Sequence, residues 1–382
     1  MKKIILVPDS FKSTMSSLEV CAIMRECIIA HYPDANIVSI PVADGGEGSV
    51  DCFLQAVGGT RETVIVKGPF MEDMDSYYGR IGDGEIVIVE MAACAGLPLV
   101  EHRMDPLNTT TYGVGQLIIC AAERGAKKII VGLGGSATND GGCGAACAAG
   151  IRFYNAAGES FIPTGGTLKD IMRIDTSGRK GCGNLLGKAE IIAMCDIDNP
   201  MYGSTGAARI FGPQKGADSE TVELLDNGVK HLAGVIERDF GMNLAEQPGT
   251  GAAGAMGAGM IAFFGAKLQM GIEVVLDTVH FDEELRDANM VLTGEGKIDT
   301  QSLRGKVVIG VARRAKAAGV PVVAVVGDIG DGIEAVYDEG VSCILSINRI
   351  AEDFSKARNH ARNDMALTVD NFMRFCKQMR IF

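Results

Sequence analysis

Residues 4–7 are an unbroken apolar run that stops at Pro8-Asp9-Ser10. A run this short, bounded by turn formers, predicts a strand buried on both faces. Ser16 and Glu19 have the capping-box spacing, and Leu18, Ala22, Met24 and Cys27 predict a helix reaching about His31. Residues 36–41 predict a second strand, 44–48 a polar loop, and the stretch through Leu54 a second helix. This β-α-β-α rhythm opens a parallel sheet with helical cover.

The rhythm changes after Gly58-Gly59. Residues 63–66, 77–81 and 85–91 predict strands joined by short turns, which favours antiparallel or mixed pairing. Helices are predicted at 114–124, 220–239 and 252–264, the last apolar nearly all round and therefore buried. Strands are predicted at 128–131 and 190–194, with another beginning at Glu273. From about Ala288 the first rhythm returns. Strands at 290–292, 322–326 and 343–347 enclose a helix at 306–318, and a broken helix from about Ser355 closes the chain.

Neither end buries a good core alone, and 382 residues are too many for one ordinary core. The expectation is an α/β protein: a discontinuous domain of 1–60 plus 287–382 with about five parallel strands, interrupted by an inserted α/β domain at 61–286.

Composition narrows the classes. A net charge of −12 argues against a nucleic-acid surface, which needs a basic stripe. No apolar stretch is long enough to span a membrane, and the first apolar run is too short for a signal peptide. The cysteines show no C-x-x-C pair and read as reduced thiols of a cytoplasmic protein. No two histidines stand four apart, so a zinc site is not expected.

The chemistry concentrates in six Gly/Asp-rich segments: 8–12, 44–48, 132–142, 195–200, 248–254 and 294–302. Glycine lets backbone N–H groups approach an anion with no Cβ in the way. Carboxylates beside such loops hold a divalent cation or move a proton. Together they suit phosphoryl transfer to a small molecule. Segment 132–142 runs from a strand into a helix, the setting of a phosphate site. Asp9, Asp44, Asp196 and Glu295 are expected just past strand ends, where ligands sit in open α/β sheets. Lys12, Lys215 and Lys306 are candidate positive charges for phosphate. No Walker A loop is present. The G-x-G-x-x-G at Gly249, Gly251 and Gly254 is not preceded by a strand, so it lacks the context of a dinucleotide fingerprint.

In this order the segments Pro8-Asp9-Ser10-Phe11-Lys12, 42–48, 134–142, 211–217, 248–254 and 294–306 resemble the type I glycerate kinase family along the whole chain. Ser13, Met15 and Ser49 stand where that family usually has glycine, leucine and threonine. The resemblance implies a flavodoxin-like, Rossmann-like parallel-sheet domain interrupted by a second domain. It also implies ATP- and Mg²⁺-dependent phosphorylation of D-glycerate in an interdomain cleft, typically giving 2-phosphoglycerate, by a monomer or homodimer. The family motifs mark where the site is and not which residue does what; from the residues themselves Asp196 is the expected base, Lys12 the partner of the transferring phosphoryl group, and Asp44 a Mg²⁺ contact, direct or through water. Phosphate, nucleotide or substrate loops are expected at Ser10, Gly45, Gly46, Gly134, Gly135, Ser136, Thr138, Asn139, Gly251, Glu295, Asp299 and Gln301. A non-catalytic two-lobed anion-binding protein and a nicotinamide-dependent hydroxy-acid dehydrogenase are the alternatives.

Overall fold

The structure, a computed structural model, describes residues 2–43, 45–178, 187–300 and 302–381. The chain divides into two compact units: Met1–Ala43, Gln55–Val57 and Ile272–Phe382 in the first, Asp44–Leu54 and Gly58–Gly271 in the second. Among the described residues no helix is long and apolar enough to cross a membrane.

The first unit is built on five parallel strands from both ends of the chain, in the order Val341–Ser346, Val322–Ile329, Met290–Ile298, Lys3–Pro8, Asn36–Ser39. Numbered along the unit and read from the Asn36 edge this is 2-1-3-4-5, the flavodoxin-like order. Ile4 and Leu6 pack with Val20, Met24 and Ile28 of the helix Ser17–His31 and with Met365, Val369 and Met373 of the helix Ala361–Met379. The helix Val307–Ala317 packs on the same sheet without joining that cluster. Ser16 and Glu19 close the expected capping box.

The second unit carries a six-stranded sheet in the order Lys267–Gln269, Glu190–Met194, Lys128–Gly132, Ile86–Glu90, Asp73–Ile81, Thr60–Lys67. The first four strands are parallel and the last two antiparallel, the mixed pairing the short turns predict. The apolar helix Ala252–Phe264 is buried almost throughout, with Phe263 edge-on to Phe153 and Phe240.

Two sequence expectations need correction. The stretch expected to begin a strand at Glu273 is the helix Gly271–Thr278, whose Glu273 and Asp277 both bind Arg314. An apolar run as short as 274–276 does not distinguish strand from helix by pattern alone. The strand at 290–292 extends through Ile298, so Gly294-Glu295-Gly296 lies within the sheet instead of beyond its edge. A Cβ on Gly294 would stand 2.1 Å from Val325 O, so that glycine marks close strand approach. The small antiparallel sheet Ser160–Phe161, Arg152–Tyr154, Arg173–Asp175 was not foreseen, its strands being too short to show alternation.

The unit boundaries also fall elsewhere than 60 and 287. The loop before the helix Ser49–Val57 is tied into the second unit by Gly134 N donating to Gly45 O and Val50 N donating to Glu90. The helix Gly271–Thr278 is tied into the first through Arg314.

Candidate active site

In the second unit the parallel strands Lys128–Gly132 and Glu190–Met194 are neighbours, so the turn 133–142 and the segment 195–200 leave the sheet side by side. The glycines of this turn serve different ends. A Cβ on Gly132 would lie 2.2 Å from Gly45 O, and one on Gly134 would lie 2.6 Å from Gly46 Cα. Those two glycines admit the backbone of the 45–46 loop. Gly135 instead has φ +72°, and its nearest neighbour would be the Ala92 methyl at 3.4 Å. Gly134 N donates to Gly45 O and Ala137 N to Ala95 O. The amides of Gly135 and Ser136 between them meet no acceptor among the described residues.

Beside this turn is a pocket of about 170 Å³, whose walls include Gly135, Ser136, Asp196, Gln214, Lys215 and Ala253. The Asp196 carboxylate accepts from Gly271 N at 2.6 Å, which fixes its orientation. Lys215 is 2% exposed, and its Nζ donates to Ser136 Oγ at 2.9 Å and to Thr138 O at 2.6 Å. Burial pulls its pKa down to about 7, against the opposing influence of Asp140. Asp140 is itself fully buried and accepts from Thr111 N, Thr111 Oγ1, Gly142 N and Gly144 N, knitting the end of the turn together. Ala253 belongs to three consecutive left-handed residues, Ala253, Gly254 and Ala255 at φ 54°, 66° and 66°. Such strain in non-glycine residues clusters at functional sites.

In the first unit the strand order reverses between Lys3–Pro8 and Met290–Ile298, and the crevice at such a switch point is where ligands bind in open α/β sheets. Asp9 N donates to Gly294 O there at 2.8 Å, and Asp9 Oδ1 accepts from Ser10 N. Glu295, 5% exposed, accepts from Ser302 Oγ at 2.6 Å, and Ser302 Oγ accepts from Asp299 N. Burial raises the Glu295 pKa to about 7, with Ser302 and Lys306 opposing the rise and Asp9 and Asp299 adding to it.

The expected site residues therefore fall into groups. Gly134, Gly135, Ser136 and Asp196 line the pocket. Gly45 and Gly46 support the turn from behind. Thr138 and Asn139 are buried and do not line the pocket, and Thr138 Oγ1, Asn139 Oδ1 and Asn139 Nδ2 have no hydrogen-bond partner among the described residues. Gly251 is needed because a Cβ there would meet Pro200 O at 2.1 Å. Ser10, Lys12, Glu295 and Asp299 belong to the first unit. Asp44 and Gln301 lie outside the described residues.

Sequence reasoning missed Glu90, whose buried carboxylate accepts from Gly48 N, Val50 N and Tyr77 Oη and so holds the start of the helix Ser49–Val57. Its position at the end of the apolar run 86–89 was the available signal.

The comparisons agree with this architecture. The model of the glycerate kinase family matches residues 4–377. A glycerate kinase of Halalkalibacterium halodurans is 44% identical over 348 residues, covering 91% of each chain. The glycerate 2-kinase of Escherichia coli K12 is 43% identical over 346 residues, covering 90% of each. A crystal structure from Salmonella typhimurium LT2, provisionally designated glycerate kinase 2, superposes with a TM-score of 0.85 at 38% identity over 100% of both chains. With the two-part parallel sheet and the glycine turn in place along its whole length, the chain belongs to the glycerate kinase family.

Proposed function

We propose that this protein transfers the γ-phosphoryl group of ATP to D-glycerate, giving 2-phosphoglycerate and ADP. The observation that carries the reading is the pocket beside the glycine turn. At about 170 Å³ it is close to the ~150 Å³ cavity that takes a six-atom ring, and well below the ~300 Å³ at which drug-sized sites begin. A seven-heavy-atom hydroxy acid fits that space and a nucleotide does not. Its walls offer the acceptor what it needs: the Gly135 and Ser136 amides for a carboxylate, and Asp196 for a hydroxyl.

Asp196 takes the proton of the 2-hydroxyl as that oxygen bonds to the γ-phosphorus and the bond to ADP breaks. The Gly271 amide holds the Asp196 carboxylate still for this transfer. The switch-point edge of the first unit is assigned the nucleotide phosphates, with Ser10 as a donor and Lys12 as the charge that neutralises the transferring phosphoryl group. Mg²⁺ binds through one or two carboxylates together with phosphate oxygens. Among the described residues no group of three or more His, Cys, Asp or Glu is placed to hold a metal ion, so the proposed Mg²⁺ contact is Asp44, which lies outside them. When bound, Mg²⁺ neutralises phosphate charge. The described cysteines are all free thiols, in keeping with a cytoplasmic enzyme; a monomer or homodimer is the proposed state.

A coupled assay tests the reading. ADP should appear only when D-glycerate, ATP and Mg²⁺ are all present, and ADP formation that ignores glycerate would refute the acceptor assignment.

A further inference from the structure

Lys215 is buried, and none of the described carboxylates forms an ion pair with it, whereas lysines elsewhere on the chain, such as Lys3, Lys67 and Lys127, pair with carboxylates. Lysine is almost never fully buried unless paired, because the desolvation of its charge then goes uncompensated. An ammonium has three N–H donors. Ser136 Oγ and Thr138 O accept two of them, and both acceptors belong to the glycine turn. Lys215 is also one of the residues that line the pocket. The bonds that fix the ammonium therefore fix it to the same turn whose Gly135 and Ser136 amides lack acceptors.

We propose that Lys215 is a substrate-binding residue: its third N–H, with the Gly135 and Ser136 amides, receives the carboxylate of the hydroxy-acid acceptor. The inference rests on the functional reading above and adds the residue that neutralises the acceptor's charge. That neutralisation has a purpose, since Asp196 shares the pocket and would otherwise repel an anionic substrate. The titratable groups around the ammonium are Asp140 within the turn, and Asp196 and Cys195 on the pocket wall. The free ammonium is partly deprotonated near neutral pH, so an arriving carboxylate should draw a proton onto it.

Calorimetry on the whole protein tests this at pH 8, in two buffers of different ionisation enthalpy, with D-glycerate alone and ATP alone as separate titrants. The wild type is expected to bind D-glycerate with uptake of a fraction of a proton. Lys215→Met should melt no lower than the wild type, bind D-glycerate at least tenfold more weakly without proton uptake, and bind ATP unchanged. Lys215→Arg, which keeps a cation but changes its shape, should restore part of the affinity if it folds. Unchanged D-glycerate affinity in Lys215→Met would overturn the proposal. So would loss of ATP affinity alone, which would move Lys215 to the nucleotide. If the wild type bound D-glycerate but formed no ADP, the kinase reading would fail while the role of Lys215 could still be judged from the titrations.

Discussion

Ser302 Oγ donates to Glu295 Oε1 at 2.6 Å with both side chains buried, at the switch point of the five-stranded sheet. The pair gives a stability prediction with a definite sign. Burial raises the folded pKa of Glu295 from 4.5 to about 7. The favourable contribution of its protonated form is complete below the unfolded value and is lost as pH rises through about 7. Glu295→Gln mimics the protonated form, so it should gain stability over the wild type across that window. The gain above pH 7 should be on the order of 3 kcal/mol. Urea midpoints at pH 4.5 and pH 8 measure it, and an equal difference at both would show that Glu295 does not titrate there. Turnover should fall in the same variant, as expected of a site that holds an unstable charge for function.

Ala253 gives a backbone prediction. At φ 54° its Cβ is in the conformation that L-residues avoid, at about 1–2 kcal/mol. Ala253→Gly should therefore stabilise the protein by about 1 kcal/mol, whereas Ala258→Gly within the same helix should destabilise it by about as much. Equal losses in both variants would mean that the left-handed turn is not adopted in solution.

Gly135 tests the turn. Gly135→Val forces a β-branched residue to φ +72° beside the two amides proposed to receive the acceptor's carboxylate. The variant should raise KM for D-glycerate at least tenfold while circular dichroism shows a retained fold. Wild-type kinetics in a folded variant would make the turn purely architectural.

Asp196 should matter for turnover more than for binding. Asp196→Asn is expected to lower kcat by roughly 10²–10⁴-fold, the usual contribution of a positioned base. KM and melting temperature should change little, since an amide oxygen can still accept from Gly271 N. A near-normal kcat would remove Asp196 from the chemistry, and rescue by raised Mg²⁺ would reassign it to the metal.

The parallel sheet was legible because its strands are unbroken apolar runs at both ends of the chain, Ile4 to Val7 and Val322 to Val326, alternating with capped helices. The pocket was legible in its glycines and in Asp196, which announce themselves by composition. Other features left no local trace. Glu295 read as a loop residue because Gly294 and Gly296 look like turn formers, although strand packing requires the first of them to be small. Lys215 read as one cation among several because its burial depends on Ser136 and Thr138, nearly eighty residues earlier in the chain. Long-range burial of this kind sets one lysine apart from the others, and no window of sequence contains it.

The central claim is the reaction itself, and the product reports on it most directly. The purified protein is incubated with D-glycerate, ATP and Mg²⁺, and the product is read by phosphorus–proton correlation NMR. The account predicts a phosphorus signal coupled to the single proton on C2, the signature of 2-phosphoglycerate, in step with ADP. Coupling to the two C3 protons would contradict the assigned position of attack, and the absence of any phosphorylated glycerate would contradict the account as a whole.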